Sequence, residues 1–317
     1  MKPEGIAARA ASGGGRWRRK LRRATVNYEL YLFVLPAVIY YLVFHYWPMY
    51  GVQIAFKQFN PVLGIQGSPW VGLQHFIRFV QAPSFLDIVG NTLGISLYSL
   101  LVAFPAPIIL ALLLNEIRSR KFRRVLQTVT YAPHFISMVV LVSMIMILLN
   151  PTYGLANTLL AAFGAEPIDF MTRSGWFKSI YVLSDVWQNA GWSSIIYLAA
   201  LAGIDPELHE AAMIDGASRL QRIRHINIPG IMPTMVILFI LAMGGVMSVG
   251  FEKVFLMQNP LNLEASEVIS TYVYKVGLLQ VQYSFSAAVG LFNSVINFVL
   301  LLIVNGTVKR IGQTSLW

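Results

Sequence analysis

Six long apolar runs are the feature that most constrains this sequence. Each run holds about 20 or more mainly apolar residues, the length that crosses a bilayer as a helix. Inside lipid, every backbone N–H and C=O group must be bonded within the protein, so such runs form helices. We therefore predict an all-α integral membrane protein with six transmembrane helices. The predicted spans are Leu30–Tyr50, Ile88–Leu114, Val125–Leu149, Ile180–Leu201, Met235–Phe255 and Phe285–Val304.

The composition favours the same class and excludes several others. The 317-residue chain is 56% hydrophobic and only 12% charged, about half the charged fraction of a soluble domain. It has no cysteine, which excludes disulfides, cysteine metal sites and thiol nucleophiles. Its five histidines are scattered, and neither an H-E-x-x-H metal motif nor a G-x-S-x-G nucleophile motif occurs. The sequence therefore predicts no bound metal and no enzymatic activity of its own.

The basic residues predict the orientation of the helices. Eighteen of the 24 Lys and Arg residues fall in segments on one side of the six spans, including both ends of the chain. Basic residues concentrate on the cytoplasmic side of membrane proteins. We therefore predict cytoplasmic N- and C-termini, and we attribute the net charge of +10 to orientation rather than to nucleic-acid binding.

Three segments are then predicted to lie on the outer side: Gly51–Asp87, Asn150–Ser179 and Leu256–Ser284. Within the second, Asn157 to Phe163 has apolar residues at helical spacing. This short helix could lie on the membrane interface, or it could dock an external partner, and the sequence leaves both open.

The most informative segment lies between the fourth and fifth predicted spans, at residues 204–229. Asp205 is a good N-cap and Pro206 suits the first helical position, so a helix is expected to begin there. Gly216 permits a sharp change of direction. A second, basic helical segment follows from Arg219, and Pro229 and Pro233 are expected to stop or kink the chain before the fifth span. Such a helix pair could seat in a groove of a cytoplasmic partner, although an ordinary capped loop would look the same.

The residue spacing in this segment resembles the EAA loop of ABC-importer permeases. The family pattern is E-A-A-x3-G-x9-I-x-L-P. Glu210-Ala211-Ala212, Gly216, Ile226 and Ile228-Pro229 match it, with Ile228 in place of leucine. The residues that the resemblance assigns to ATPase coupling are Asp205, Glu210, Ala211, Ala212, Asp215, Gly216, Ile226 and Pro229. Glu210 would make the charged contact to the ATPase, and Gly216 would provide the bend.

The resemblance extends over residues 28–310. The segment from Trp192 to Ala217 looks like carbohydrate permeases of the maltose type. The segments Phe44–Phe56 and Gly67–Leu73 look like the branch that handles complex oligosaccharides. The overall match suggests oligosaccharides derived from a polysaccharide, with alginate the leading candidate.

The resemblance implies a type I ABC-importer permease fold in the bacterial cytoplasmic (inner) membrane. It implies a basic cytoplasmic segment at residues 1–27, a permease domain at 28–310 and a short cytoplasmic tail at 311–317. The implied partners are membrane lipid, a second homologous permease, two cytoplasmic ATPase subunits and an extracytoplasmic solute-binding protein. The chain lacks the G-x-x-x-x-G-K-[ST] phosphate loop, so ATP and Mg²⁺ are expected on the ATPase subunits, with no cofactor on this chain.

Polar and aromatic residues within the spans are the candidates for the sugar pathway. Such residues tend to face a cavity or another helix, and sugar sites combine aromatic faces with amide and hydroxyl groups. The candidates are Trp187, Gln188, Asn189, Trp192, Tyr197, Asn91, Tyr98, Ser248, Glu252, Asn293 and Asn297. The alternative is that the aromatic residues form interface belts and the asparagines bond across helices.

The main rival class is a secondary transporter or channel for small polar solutes. Proteins of that class carry ionisable residues deep in the membrane, whereas Asp185 and Glu252 lie near predicted span ends. A receptor or scaffold is a third class. Neither rival gives the segment around Glu210 a role.

Overall fold

The computed structural model describes residues 28–310, and this range is helical without a β-strand. Its one recorded strand-like contact is an isolated antiparallel bridge between Lys57 and Trp70. The chain divides into two compact units, one ending at Gln53 and one beginning at Ile54. The predictions for residues 1–27 and 311–317 lie outside the described residues.

The described residues of the first unit all belong to one long apolar helix. Helix α1 covers Tyr28–Tyr41, continues as a π-helical turn at Leu42–Tyr46 and ends in a 3-10 segment at Trp47–Phe56. Together these 29 residues are long and apolar enough to cross a membrane. The first predicted span lies within this helix.

The second unit consists of helices joined by short connections. They are α2 (Gly64–Gly67), α3 (Gln74–Val80), α4 (Phe85–Val102), α5 (Pro105–Asn115), α6 (Arg120–Tyr131), α7 (Met138–Leu148), α8 (Leu155–Ala162), α9 (Ser174–Ala202), α10 (Pro206–Ile214), α11 (Arg219–Arg222), α12 (Ile228–Met243), α13 (Phe251–Met257), α14 (Leu263–Ser266), α15 (Ile269–Tyr274) and α16 (Tyr283–Arg310).

Within the described residues, four helices are long and apolar enough to cross a membrane. A fifth crossing is added if the bent pair α6 and α7 is one span. The 29-residue helix α9 is not among them, because its lysine, aspartate and amide residues lower its hydropathy. At 1.5 Å per residue, α9 is nevertheless about 44 Å long. The four spans are Tyr28–Phe56, Phe85–Asn115, Arg219–Met243 and Tyr283–Arg310.

The third predicted span, Val125–Leu149, is not one straight helix. Helices α6 and α7 meet at an angle of 101°. Between them lies a 3-10 turn that contains Pro133, and Ser137 starts α7 as an N-cap whose side chain accepts from the Val140 N–H. A proline followed by a new cap ends one helix and begins another, which an apolar run alone does not reveal.

The fifth predicted span, Met235–Phe255, is displaced in the structure. The helix begins at Arg219, runs through Pro229 and Pro233, and ends at Met243. Of the two effects expected of the prolines, a stop or a kink, the stop is wrong, because the helix continues through Pro229 and Pro233 to Met243. A π turn ends two residues before Pro229 and leaves room for a residue without an N–H. Beyond Met243 the chain leaves the helix until α13 begins.

Helix α9 is the centre of the second unit. It packs against α4, α5, α6 and α12, and it contributes Phe177, Tyr181 and Val182 to the largest buried cluster. Its crossing with α6 is tight, because a Cβ at Gly191 would collide with the Thr130 carbonyl. Glycine at this position therefore sets how closely the two helices approach.

Gly191→Ala should destabilise the protein by about 1–3 kcal/mol, because the added methyl group forces α6 and α9 apart. The measurement is the melting temperature of the detergent-solubilised protein. Gly290→Ala is the matched control, since nothing lies within 4 Å of a Cβ built there. Equal melting temperatures for the two variants would contradict the role of this crossing.

Candidate functional site

The segment predicted to contact a partner begins with a capped helix. The Asp205 carboxylate accepts a hydrogen bond of 3.0 Å from the Glu207 N–H, and Pro206 occupies the first turn of α10. The predicted N-cap is confirmed. The cap fixes where the chain leaves α9 and enters α10.

Helix α10 ends at a glycine whose backbone is left-handed. Gly216 has φ +76°, and the N–H groups of Gly216 and Ala217 bond the carbonyls of Met213 and Ala212 at 3.1 and 2.8 Å. This is a Schellman C-cap. Nothing lies within 4 Å of a Cβ at Gly216, so glycine is favoured here by its backbone angle and not by lack of space. The predicted bend at Gly216 is confirmed.

The second helix of the pair begins with a capping box that the sequence analysis missed. The Ser218 N–H donates to Gln221 Oε1 at 2.7 Å, and the Gln221 N–H donates to Ser218 Oγ at 3.4 Å. The S-x-x-Q spacing was present in the sequence and would have located this start. Helix α11 then continues through the π turn into α12.

The surface of this helix pair combines acidic and apolar side chains. Glu210 and Ala211 are exposed and Ala212 is half-buried. Leu208 and Ile214 are 54% and 87% exposed. Within residues 28–310, Glu210 makes no ion pair. Of the remaining predicted coupling residues, Asp215 and Pro229 are exposed, and Ile226 is half-buried.

Close packing ties the helix pair to the rest of the unit. A Cβ at Gly230 would meet Ile204 Cδ1 at 2.6 Å, so glycine lets α12 approach the end of α9. Ile204 and Ile228 pack against a buried cluster that includes Leu201 and Ile231. The helix pair is therefore packed directly against the end of α9 and the start of α12.

A second polar cluster lies along α9. Asn189 Nδ2 donates to Asp185 Oδ1 at 2.8 Å, and the Asn189 Oδ1 lies 3.0 Å from His134 Nδ1. Because the amide oxygen accepts, His134 Nδ1 is the donor. The His134 ring stacks on Trp192 with centroids 4.8 Å apart. Gln188, which is buried, donates to the Ile136 carbonyl at 3.0 Å. These bonds hold the bend between α6 and α7 against α9.

A buried lysine was missed by the sequence analysis. Lys253 is 2% exposed and its Nζ lies 4.0 Å from Asp185 Oδ1. It also donates to the Tyr181 carbonyl at 2.9 Å. The neighbouring Glu252, which was a candidate, is exposed. Asp185 lies well inside α9 rather than near its end, because α9 begins at Ser174, before the predicted span.

A cavity of about 300 Å³ brings some of the predicted pathway residues together. Asp185 and Ser248 line it, together with Ser96, Ser99 and Tyr181. Asn297 borders this region, since its Nδ2 donates to Ser248 Oγ at 3.0 Å and its Oδ1 accepts from the Met247 N–H at 2.8 Å. Asn297 thus braces the non-helical stretch between α12 and α13.

The two indoles of the predicted pathway do not converge. Trp192 lines an apolar pocket with Phe104 and Tyr197, whereas Trp187 lines a separate pocket beside α7. Five residues of an α-helix turn through about 500°, which is about 140° beyond one full turn. The two rings therefore lie on different faces of α9.

The remaining pathway candidates have other positions. Asn91 donates to the carbonyls of Glu264 and Glu267 at 2.6 and 3.3 Å, which ties α4 to the segment around α14. Tyr98 packs against the cluster around Ile95. Asn293 is half-buried, and its Oδ1 has no hydrogen-bond partner within the described residues.

This arrangement of apolar helices, a polar cavity and an exposed capped helix pair defines a membrane transport component. Residues 103–313 match the family described as the binding-protein-dependent transport system inner membrane component. The chain belongs to this family, whose members are transport components of ABC importers and not enzymes.

Two curated proteins of Bacillus subtilis (strain 168) are similar over nearly the whole chain. The polygalacturonan/rhamnogalacturonan transport system permease protein YteP is 46% identical over 95% of this chain and 94% of its own length. Protein LplB is 42% identical over 97% of this chain and 96% of its own length.

Solved structures share the fold. A chain of a bacterial ABC transporter involved in the import of the acidic polysaccharide alginate is 40% identical, with a TM-score of 0.85 over 92% of this chain and 99% of that chain. A chain of a bacterial alginate ABC transporter, solved in complex with an alginate pentasaccharide-bound periplasmic protein, is 39% identical to this chain. Its TM-score is 0.86, over 93% of this chain and 99% of that chain.

Asp205→Ala should loosen α10, because it removes a cap worth about 1 kcal/mol. Hydrogen exchange of the α10 amides should become roughly fivefold faster. Asp215→Ala is the matched control at the other end of the same helix, where the aspartate side chain caps no N–H. Unchanged exchange in Asp205→Ala would show that the cap does not hold the helix.

Proposed function

We propose that this chain is the permease subunit of an ATP-driven, binding-protein-dependent oligosaccharide importer. The observation that carries the proposal is the helix pair between Asp205 and Pro229, whose exposed Glu210 and apolar side chains form a surface suited to a partner's groove. Family membership supports the same conclusion. The proposed partners are a second permease, two cytoplasmic ATPase subunits that bind ATP and Mg²⁺, and an extracytoplasmic binding protein.

The proposed topology has six spans with both termini in the cytoplasm of a bacterium. Helix α9 supplies the sixth crossing in addition to the apolar helices and the bent pair. Its polar residues Gln188, Asn189 and Asp185 contact neighbouring segments of the chain, which makes its low hydropathy compatible with a buried span. Residues 28–310 form the permease domain, with a basic segment before it and a short tail after it.

The proposed substrates are oligosaccharides derived from a polysaccharide that contains uronic acids. Two similar proteins are named for polygalacturonan/rhamnogalacturonan and for alginate, and galacturonan and alginate are both built from uronic acids. Alginate oligosaccharides stay one candidate among these. The polar cavity around Asp185 and Ser248 is the proposed start of the pathway through this subunit.

The proposed mechanism is alternating access. Closure of the ATPase dimer moves α10, and the continuous helix from Arg219 to Met243 carries that movement into the membrane. The cavity then opens to the outer side, and hydrolysis resets it. This is a two-state element biased by a partner at one end.

The Asp185–Lys253 pair is the observation that bears on a secondary transporter. An acidic residue within a membrane span could couple transport to protons. The two classes differ in their energy source. Sugar accumulation in vesicles that requires ATP supports the importer, and accumulation driven by a proton gradient alone would support the rival.

Glu210→Ala and Gly216→Pro should uncouple ATP hydrolysis from uptake while the subunit still inserts. Glu210→Ala alters the surface that a partner would contact, and Gly216→Pro alters the bend after α10. Neither position lies in a proposed membrane span. The measurement is ATP-driven uptake and ATPase activity of the reconstituted complex, with Glu166→Gln as the control because that exposed glutamate lies outside this segment. Normal uptake by both variants would refute the coupling role.

Trp192→Ala should raise the oligosaccharide concentration needed for half-maximal uptake, roughly tenfold for a loss of about 1.4 kcal/mol. The indole is 44% exposed and presents an aromatic face beside a pocket. Trp192→Phe, which keeps an aromatic face, is the control. If the Phe and Ala variants show the same concentration dependence as the wild type, the ring does not contact the sugar.

A further inference from the structure

A large polar cavity lies on the segments predicted to face the outer side. Its volume is about 730 Å³, and it is formed by α3, the turn before α4, α15 and the start of α16. Its polar lining includes Arg78, Gln58, Gln74, Gln81 and Tyr272. No residue of this cavity belongs to the coupling segment or to the cavity beside Asp185.

Arg78 differs from two other basic residues of the outer segments, Lys57 and Lys275. Lys57 is buried and donates to the Ile65 carbonyl at 2.7 Å, and Lys275 pairs with Glu267 at 2.6 Å. Arg78 is exposed, and within the described residues no carboxylate lies within 4.0 Å of it. It is a cation without a counter-charge that lines a cavity.

The Arg78 guanidinium is held in place. Its central carbon lies 4.5 Å from the centroid of the Phe285 ring. Phe285 is 3% exposed and contacts the rings of Phe79 and Tyr272 at centroid distances of 6.3 Å. A rigid aromatic platform therefore fixes the cation, which lowers the entropy cost of binding an anion.

Three glutamines line the same cavity as this cation. Gln58, Gln74 and Gln81 are exposed at the cavity, and no side-chain hydrogen bond within the described residues occupies them. An amide offers both a donor and an acceptor, which matches the hydroxyl groups of a sugar ring. Tyr272, beside Arg78 and Ser84, adds part of an aromatic surface.

We propose that this outer cavity is a subsite for a uronate residue of an acidic oligosaccharide, with its carboxylate on Arg78 and its hydroxyls on the glutamine amides. The inference rests on the proposed function and on its topology. Arginine binds carboxylates through two parallel hydrogen bonds. The volume lies within the range of small-molecule sites.

The test uses the full transporter complex purified in detergent without its binding protein. Calorimetric titration compares tetragalacturonate and tetramannuronate with their methyl esters, which keep the sugar shape and remove the charge. For each acidic sugar that binds the wild-type complex, Arg78→Gln should weaken the affinity roughly ten- to hundredfold. It should leave the affinity for the corresponding ester unchanged. Arg173→Gln is the matched control, an exposed outer arginine that does not line the cavity.

Gln81→Ala supplies a second readout. It should weaken the acid and its ester by the same factor, because the amide contacts hydroxyls and not the carboxylate. Absence of wild-type binding for both acids, or equal losses for the acid and the ester in Arg78→Gln, would overturn the subsite. Weakened docking of the sugar-free binding protein in Arg78→Gln, with sugar binding intact, would instead assign Arg78 to a protein contact.

Failure of this inference is distinguishable from failure of the proposed function. ATP-driven uptake by the wild-type complex, unaltered by Arg78→Gln, would remove the subsite and leave the importer in place. Absence of ATP-driven uptake by the wild-type complex would refute the importer itself.

Discussion

The continuous helix from Arg219 to Met243 is the covalent connection between the exposed helix pair and the apolar helices. Its first turns belong to the exposed helix pair, and its remainder is apolar enough to cross a membrane. A break at Pro229 would separate the two parts mechanically. The helix passes through the π turn at Ile223–Asn227 and continues past Pro229 and Pro233 without a break.

A set of bonds around α9 holds the other half of the structure. Asp185 bonds Asn189, Asn189 bonds His134, and Lys253 lies beside Asp185. In a low-dielectric interior, unpaired polar groups are costly, so these groups fix the bend between α6 and α7 and the position of α13. Of these residues, Asp185 also lines the cavity of about 300 Å³ beside α9.

Local signals were predictable because they depend on neighbouring residues. The N-cap at Asp205 and the left-handed glycine at Gly216 follow from side-chain and backbone chemistry within one turn, and the structure confirms both. The spacing of residues from Glu210 to Pro229 is also a local signal, and its resemblance to the EAA loop indicated the permease family. The apolar runs predicted most of the helices, but they did not predict the bend at Ser137 or the end of a helix at Met243.

By itself, the sequence determined that this chain is helical, belongs in a membrane and carries a capped helix pair, since lipid burial and capping act over short stretches of chain. Tertiary structure decided which polar residues meet. Lys253 lies beside Asp185, Asn91 bonds the outer segment, and the Arg78 guanidinium lies against the Phe285 ring. Those pairings join residues far apart in the chain, and they depend on helix crossings such as that of Gly191 with Thr130.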